Sequence, residues 1–282
     1  MSVLVPTDLD ATLAALADDP GALVLAGGTD LMVEINAGRR RFDSVVALRR
    51  VAELGEVVVD DGTLRVGAGV TYTRLLDDDV RQVAPALTQA ARTVGSPQIR
   101  NAGTIGGNIA TASPAGDTLP VLLALGASVE LASAERRRTV AIDDLVTGVK
   151  RTAIEPGEII TAVVVPIVRG GQEFRKVGVR NAMVIAVASV AVAIDAAGRS
   201  VRVGMGSVGP VCLGAPEAEA WIAGRLEWHD DRARLRDASD AAGFGELVAS
   251  ASRPIDDHRS TAAYRTHAVG VLAARCLRSL AS

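Results

Sequence analysis

Aromatic residues are scarce in this sequence, making up 2% of its 282 residues. Hydrophobic residues still account for 49%, so Ala, Val, Leu and Ile must fill the interior, and a bound ring system would meet mostly aliphatic walls. Cysteine is scarcer still. The two thiols, Cys212 and Cys276, lie far apart, and this chain cannot build a four-cysteine iron–sulfur site alone. His229, His258 and His267 are the only histidines, all in the C-terminal third and without metal-ligand spacing.

An excess of charge of one sign is missing as well. The 30 Lys and Arg are scattered among 33 Asp and Glu, for a net charge of -3; no basic face stands out, which excludes nucleic acid as a partner. No uninterrupted apolar run approaches membrane-spanning length. The opening MSVLVPTDLD has neither the charged nor the apolar region of a signal peptide, so a cytoplasmic location is expected. Phosphate-loop and nucleophile-elbow motifs are absent, removing a P-loop hydrolase and a serine triad.

What is present is an alternation of sheet and helix patterns through the first 165 residues or so. PTDLDATLAALADD sets Leu9, Leu13 and Leu16 on one helical face, with Thr7 three residues before Asp10 as the capping signal. ALVLAGG reads as a short buried strand ending in a glycine turn, and DLMVEINAG as a helix behind it. EVVVDDGTLRVGAG carries two β-rich runs joined at Asp61-Gly62, a hairpin signal. Helical patterns in TYTRLLDDD and PALTQAARTV precede strands at ASVELAS and EIITAVVVP. After Pro166, IVRGGQ reads as a linker. QEFRKVGVR, VIAVASVAVAID and SVRVGMGSV then suggest an antiparallel meander, followed by a largely helical remainder.

Three glycine clusters invite a cofactor. Gly204, Gly206 and Gly209 have dinucleotide-fingerprint spacing, but Pro210 follows at once where a helix would have to begin, so a strand with a tight exit turn is expected there. AGGTD at 26–30 and TIGGN at 104–108 each pair glycines with a threonine. Glycine lets backbone N–H groups approach an anion closely, and successive N–H groups in such a turn form a concave anion site to which Thr29 and Thr104 can add hydroxyls. Two glycine turns are ordinarily just turns; what adds weight is Ser113 and Pro114 ahead of Asp117, whose carboxylate can accept from ribose hydroxyls or, equally, cap the helix at TLPVLLAL.

AGGTDLMVEI, VTYTRLL, GSPQIRNAGTIGGNIATASPAGDTLPVL, EIITAVVVP and FRKVGVRNAM resemble, in that order, the FAD-binding subunits of molybdenum hydroxylases, the family of the carbon monoxide dehydrogenase medium subunit and the flavin subunits of xanthine dehydrogenases. The resemblance spans nearly the whole chain. It implies an α+β protein with a two-part FAD-binding module of the vanillyl-alcohol-oxidase (PCMH) type, over 1–55 and 56–168, plus a C-terminal domain over 172–282 with a three-stranded antiparallel sheet and helices. It also implies FAD contacts from Val24, Leu25, Ala26, Gly27, Gly28, Thr29, Asp30 and Leu31, and from Thr104, Ile105, Gly106, Gly107 and Asn108, mainly to the diphosphate. Asp117, with Ser113 nearby, would bind the ribose portion, Ile160 would lie against the cofactor, and Lys176 would place a positive charge near it. Where some relatives set an aromatic residue against the flavin, this sequence has Val94, and the resemblance carries no contact beyond Lys176.

By the same resemblance the FAD is non-covalent and no side-chain acid or base is demanded. A molybdenum-cofactor large subunit and a 2Fe-2S small subunit are the expected partners, with NAD or another electron acceptor downstream. RTVGSPQIRNAGTIGGN and AYRTHAVGVLAARCL are similar to bacterial purine-oxidising versions, which points to a xanthine dehydrogenase. The alternatives are the flavin subunit of a carbon monoxide or N-heterocycle dehydrogenase, a stand-alone flavoprotein oxidase, and a binding module that has lost its cofactor.

Overall fold

The computed structural model describes residues 2–282. Its N-terminal part is a three-stranded parallel sheet in the order β1-β3-β2, with β1 Ser2–Leu4, β2 Leu23–Leu25 and β3 Ser44–Ala47. Helix α1, Leu9–Asp18, buries Thr12, Leu13 and Leu16, one face of the expected amphipathic pattern. Its cap is Asp8, whose carboxylate accepts from the N–H of Ala11, and not the box expected from Thr7 and Asp10. Helix α2, Leu31–Asn36, follows the first glycine turn.

The second part is a five-stranded sheet made from β4 Val57–Asp60, β5 Thr63–Gly67, β6 Ser128–Ala132, β7 Arg137–Ala141 and β10 Ile159–Pro166, ordered β4-β5-β10-β6-β7 and antiparallel throughout. Asp61-Gly62 makes the expected two-residue turn between β4 and β5, with Gly62 at φ +79°. Between β5 and β6 run the short helices α3 Asp78–Val83, α4 Pro85–Thr93, α5 Pro97–Ala102, α6 Ile105–Thr111 and α7 Leu119–Ala124. A four-residue helix, α8 Ile142–Leu145, leads to the small hairpin β8 Val146–Gly148 and β9 Arg151–Thr152.

The third part is the meander β11 Gly170–Val177, β12 Ala188–Asp195 and β13 Ser200–Gly206, backed by α9 Pro216–Ala223, α10 Asp240–Ala251 and α11 Ala262–Leu280, with a hairpin of β14 Leu226–Trp228 and β15 Ala233–Leu235. Two sequence expectations shift. The linker is shorter than its glycines suggest, because Gly170 and Gly171 already pair with Asp195 and Ile194. The strand expected from Val184 begins only at Ala188, and the residues before it leave the sheet.

Glycine explains how the second and third parts meet. A Cβ on Gly204 would lie 1.9 Å from the carbonyl oxygen of Pro120, so α7 sits directly on the backbone of β13. The fingerprint-like spacing there serves packing, as the strand-and-turn reading expects. Gln89 on α4 accepts from the N–H of Phe174, satisfying an edge group of β11 from across the junction.

Candidate functional site

Between these parts lies a cavity of about 870 Å³, within the size of small-molecule sites. Of the residues that the resemblance sets against FAD, all but Ile105 and Lys176 line it. Ile105 is fully buried in the core and its N–H donates to the carbonyl of Val70, so it turns away from the cavity. Lys176 sits behind the wall, its side chain 7% exposed.

The two glycine loops do different work. The N–H groups of Gly27, Gly28, Thr29 and Asp30 donate to nothing among the described residues, and Gly28 holds φ at +71°, leaving a run of free donors on a backbone that side chains rarely adopt. The second loop has no such run. Ile105 and Gly106 donate to Val70 and Ala68, Gly107 donates to the Thr104 hydroxyl at 3.0 Å, and Asn108 donates to the Thr104 carbonyl. The two loops are therefore not alike: among the described residues the unpaired N–H groups belong to the first loop, and those of the second are taken up within the chain. A Cβ on Gly27 would fall 1.7 Å from the carbonyl oxygen of Ala102, whereas one on Gly107 would meet only the Thr104 hydroxyl, at 3.0 Å. Gly27 presses one loop against the other, and Gly107 keeps the cavity wall bare.

Asp117 is not a helix cap. Helix α7 has Thr118 at its N-cap with no side-chain bond, and the Asp117 carboxylate faces the third part of the chain instead. Its Oδ2 accepts from Lys176 Nζ at 2.6 Å and from the Thr93 hydroxyl at 3.1 Å, while Lys176 also donates to the Thr93 carbonyl at 3.3 Å. Oδ1 is sealed from solvent and has no partner among the described residues. Burial raises the Asp117 pKa above the ordinary carboxylate value, opposed by the charge and hydrogen bond of Lys176 and by the Thr93 hydroxyl.

Several wall residues escaped the sequence reading. Lys150, at φ +53°, donates from its backbone to the carbonyl of Ala112 at the end of α6, and its Nζ reaches Glu34 on α2 at 2.6 Å and Asp30 at 3.7 Å. It thus ties the segment after one glycine loop to the segment after the other. Glu158 holds the stretch 154–160 against the cavity through Arg138 and Arg136 at 2.7–3.1 Å. Arg138 first, then the Glu155 N–H and Arg136, keep its pKa down at about 2 against the opposing effect of burial. Met183, Val184 and Ile185 also line the cavity, and with Val24 and Ile99 they include four exposed large apolar side chains on its wall. No local signal marks Met183–Ile185: Val184 and Ile185 read as the start of a strand, and Met183 lies just before it.

Residues 1–168 match the family described as the FAD binding domain in molybdopterin dehydrogenase, and residues 173–280 match the CO dehydrogenase flavoprotein C-terminal domain.

The chain belongs to this molybdopterin dehydrogenase flavoprotein family.

Among relatives, the chain is 36% identical over 217 residues to the nicotinate dehydrogenase FAD-subunit of Eubacterium barkeri, covering 73% of each chain. It is 38% identical over 149 residues to the xanthine dehydrogenase FAD-binding subunit of Escherichia coli O157:H7, covering 52% of this chain and 51% of that one. In three dimensions it is similar to a chain of quinoline 2-oxidoreductase from Pseudomonas putida 86, with TM-score 0.89, 28% identity, and coverage of 99% of this chain and 96% of the other.

The family's cofactor fits the residues present. A diphosphate suits the free N–H groups of Gly27–Asp30, and the unpaired Oδ1 of Asp117 asks for a hydroxyl donor. The exposed apolar side chains at the cavity wall suit a ring system. Among the described residues, no His or Cys lines the cavity to tether a flavin covalently.

Proposed function

We propose that this chain is the FAD-carrying electron-transfer subunit of a heteromeric molybdenum hydroxylase. In this reading residues 1–55 and 56–168 enclose non-covalent FAD, and 172–282 close the cavity from the third side. The observation that carries it is the set of N–H groups at Gly27, Gly28, Thr29 and Asp30, unpaired among the described residues, on the wall of a cavity that Asp117 also lines. Bound FAD would supply the exchange between single electrons and a hydride. The chain's own residues bind and orient: the first glycine loop holds the diphosphate, bare Gly107 lets it approach, and Asp117, held by Lys176, takes a sugar hydroxyl.

Membership of the family supports the remaining parts of the assembly. A partner bearing the molybdenum cofactor oxidises the substrate, and a 2Fe-2S partner relays electrons to this chain, which passes them to NAD or another acceptor. The relatives reported above are named for nicotinate, xanthine and quinoline, while other similar chains belong to glyceraldehyde and carbon monoxide dehydrogenases; xanthine is the first substrate to test. A stand-alone oxidase is disfavoured by the absence of a tethering residue on the cavity wall.

The test is the absorption spectrum of the purified chain, with the flavin released by denaturation and identified. Released FAD supports the reading; a chain that is colourless and takes up no added FAD, alone or with co-purified partners, overturns it. Hypoxanthine and xanthine oxidation by the co-purified complex tests the substrate separately.

A further inference from the structure

The ladder between β12 and β13 ends at the pair Ser189 and Gly206, and past that point the two backbones part. Upstream of β12, Val187 follows Met183, Val184 and Ile185, which line the cavity. Downstream of β13, Ser207 turns aside at φ +63° and donates its N–H to the carbonyl of Pro114 at 2.7 Å. The neighbours of Pro114 on either side, Ser113 and Ala115, line the cavity as well. Two stretches of the wall are therefore tied to the open end of one hairpin.

One side chain joins the parting strands. Arg265 on α11 donates from a single nitrogen, Nη1, to the carbonyls of Val187 and Ser207, at 2.9 Å each, and from Nη2 to Asp257 Oδ1 at 2.6 Å. The carboxylate is itself fixed, since Oδ1 also accepts from the N–H groups of Arg259 and Ser260. The Arg259 N–H first, then Arg265 and the Ser260 N–H, keep the Asp257 pKa down at about 2 against the opposing effect of burial. Arg265 is 3% exposed, and its Nε is sealed from solvent with no partner among the described residues. Burying a guanidinium with one N–H unpaired is costly, and an apolar side chain would fill the same space with no such cost. An apolar side chain could not bring two carbonyls to one nitrogen. Charge-assisted bonds from a rigid planar fork fix both their distance and their direction.

We infer that Arg265 is a positioning residue for the cofactor: by holding Val187 and Ser207 it sets where the segments 183–185 and 113–117 stand on the cavity wall, although Arg265 itself lines no part of the cavity. This rests on the FAD reading above. A binding site made of loops is only as well placed as the groups that anchor them, and the anchor here comes from the last helix of the chain.

The experiment compares the full chain as wild type, Arg265→Lys and Leu277→Ala. Lys keeps the positive charge but not the planar fork. Leu277 is fully buried on the same helix and does not line the cavity, so its truncation weakens the fold by packing alone. FAD affinity is read by flavin fluorescence and the surroundings of the bound flavin by visible circular dichroism, both well below the melting temperatures measured without FAD. Arg265→Lys should weaken FAD about tenfold and alter the flavin dichroism. Leu277→Ala should leave both as in wild type, even where it lowers the melting temperature by as much. Arg265→Lys with wild-type affinity or an unchanged flavin spectrum overturns the inference, and so does Leu277→Ala changing both to the same extent. If Arg265→Lys does not fold, Arg265→Met combined with Asp257→Asn, which removes the buried pair and strands neither charge, is held to the same outcomes. Wild type that takes up no FAD at all overturns the functional reading, and the inference with it.

Discussion

Lys176 on β11 donates to Asp117 Oδ2 at 2.6 Å, joining two residues 59 positions apart across the junction between the cofactor-binding part and the meander. Both side chains are 7% exposed, so neither charge has water to fall back on. Removing either partner should cost far more than the pair itself contributes, since it leaves a buried charge alone.

Lys176→Met should accordingly lower stability by about 3–5 kcal/mol, measured by urea unfolding. Asp117→Asn in the same background should recover much of that loss, because the amide removes the stranded negative charge. Equal stability of Lys176→Met and wild type would show that the pair does not hold the junction.

Gly107→Leu and Gly27→Ala should fail in different ways. At Gly107 the Cβ of the new side chain meets only the Thr104 hydroxyl and the position lines the cavity, so FAD uptake should drop at least tenfold while the melting temperature without FAD stays within a few degrees. At Gly27 even one methyl strikes the backbone of Ala102, and thermal unfolding should show a fold weakened before any ligand is added. If Gly107→Leu retains FAD, the wall assignment is wrong.

Glu158 should give the protein an acid-sensitive step. Its folded pKa of about 2 lies below the ordinary 4.5, so the stability it contributes is complete above about pH 4.5 and is lost as pH falls toward 2. That contribution is on the order of 2 kcal/mol after allowance for the partly exposed arginines around it. Glu158→Gln should flatten this limb in urea titrations between pH 5 and pH 2 and leave the neutral-pH slope unchanged.

Lys150, half exposed and bridging to Glu34 and Asp30, should matter modestly and in a salt-dependent way. Lys150→Met should speed FAD release about two- to threefold at low ionic strength, measured by stopped-flow displacement. At 1 M salt the difference should disappear; an effect of the same size at both concentrations would mean that Lys150 acts by packing and not by charge.

Local pattern was enough to place much of the cavity wall. Asp61-Gly62 announces its hairpin, the alternating runs after residue 170 announce the meander, and the AGGTD and TIGGN segments mark both loops that reach the cavity. The misread elements lie at element ends. Asp8 caps α1 in place of Thr7, a one-residue shift within the same local signal, and Val184 and Ile185 leave the expected strand for the cavity wall, where tertiary surroundings override local preference.

The sequence by itself determined where backbone would be bare and where the apolar runs would fold into sheets, since glycine content and side-chain periodicity are properties of contiguous residues. Tertiary structure alone decided which of two similar loops keeps its N–H groups free. Residues 68–70 take up donors of the second loop, and nothing among the described residues pairs with those of the first. It also decided that Asp117 meets Lys176 and leaves one oxygen unpaired, and that Tyr72 lies on Gly103. Whether a buried polar group is satisfied depends on what the folded chain brings alongside it, and those neighbours are distant in sequence.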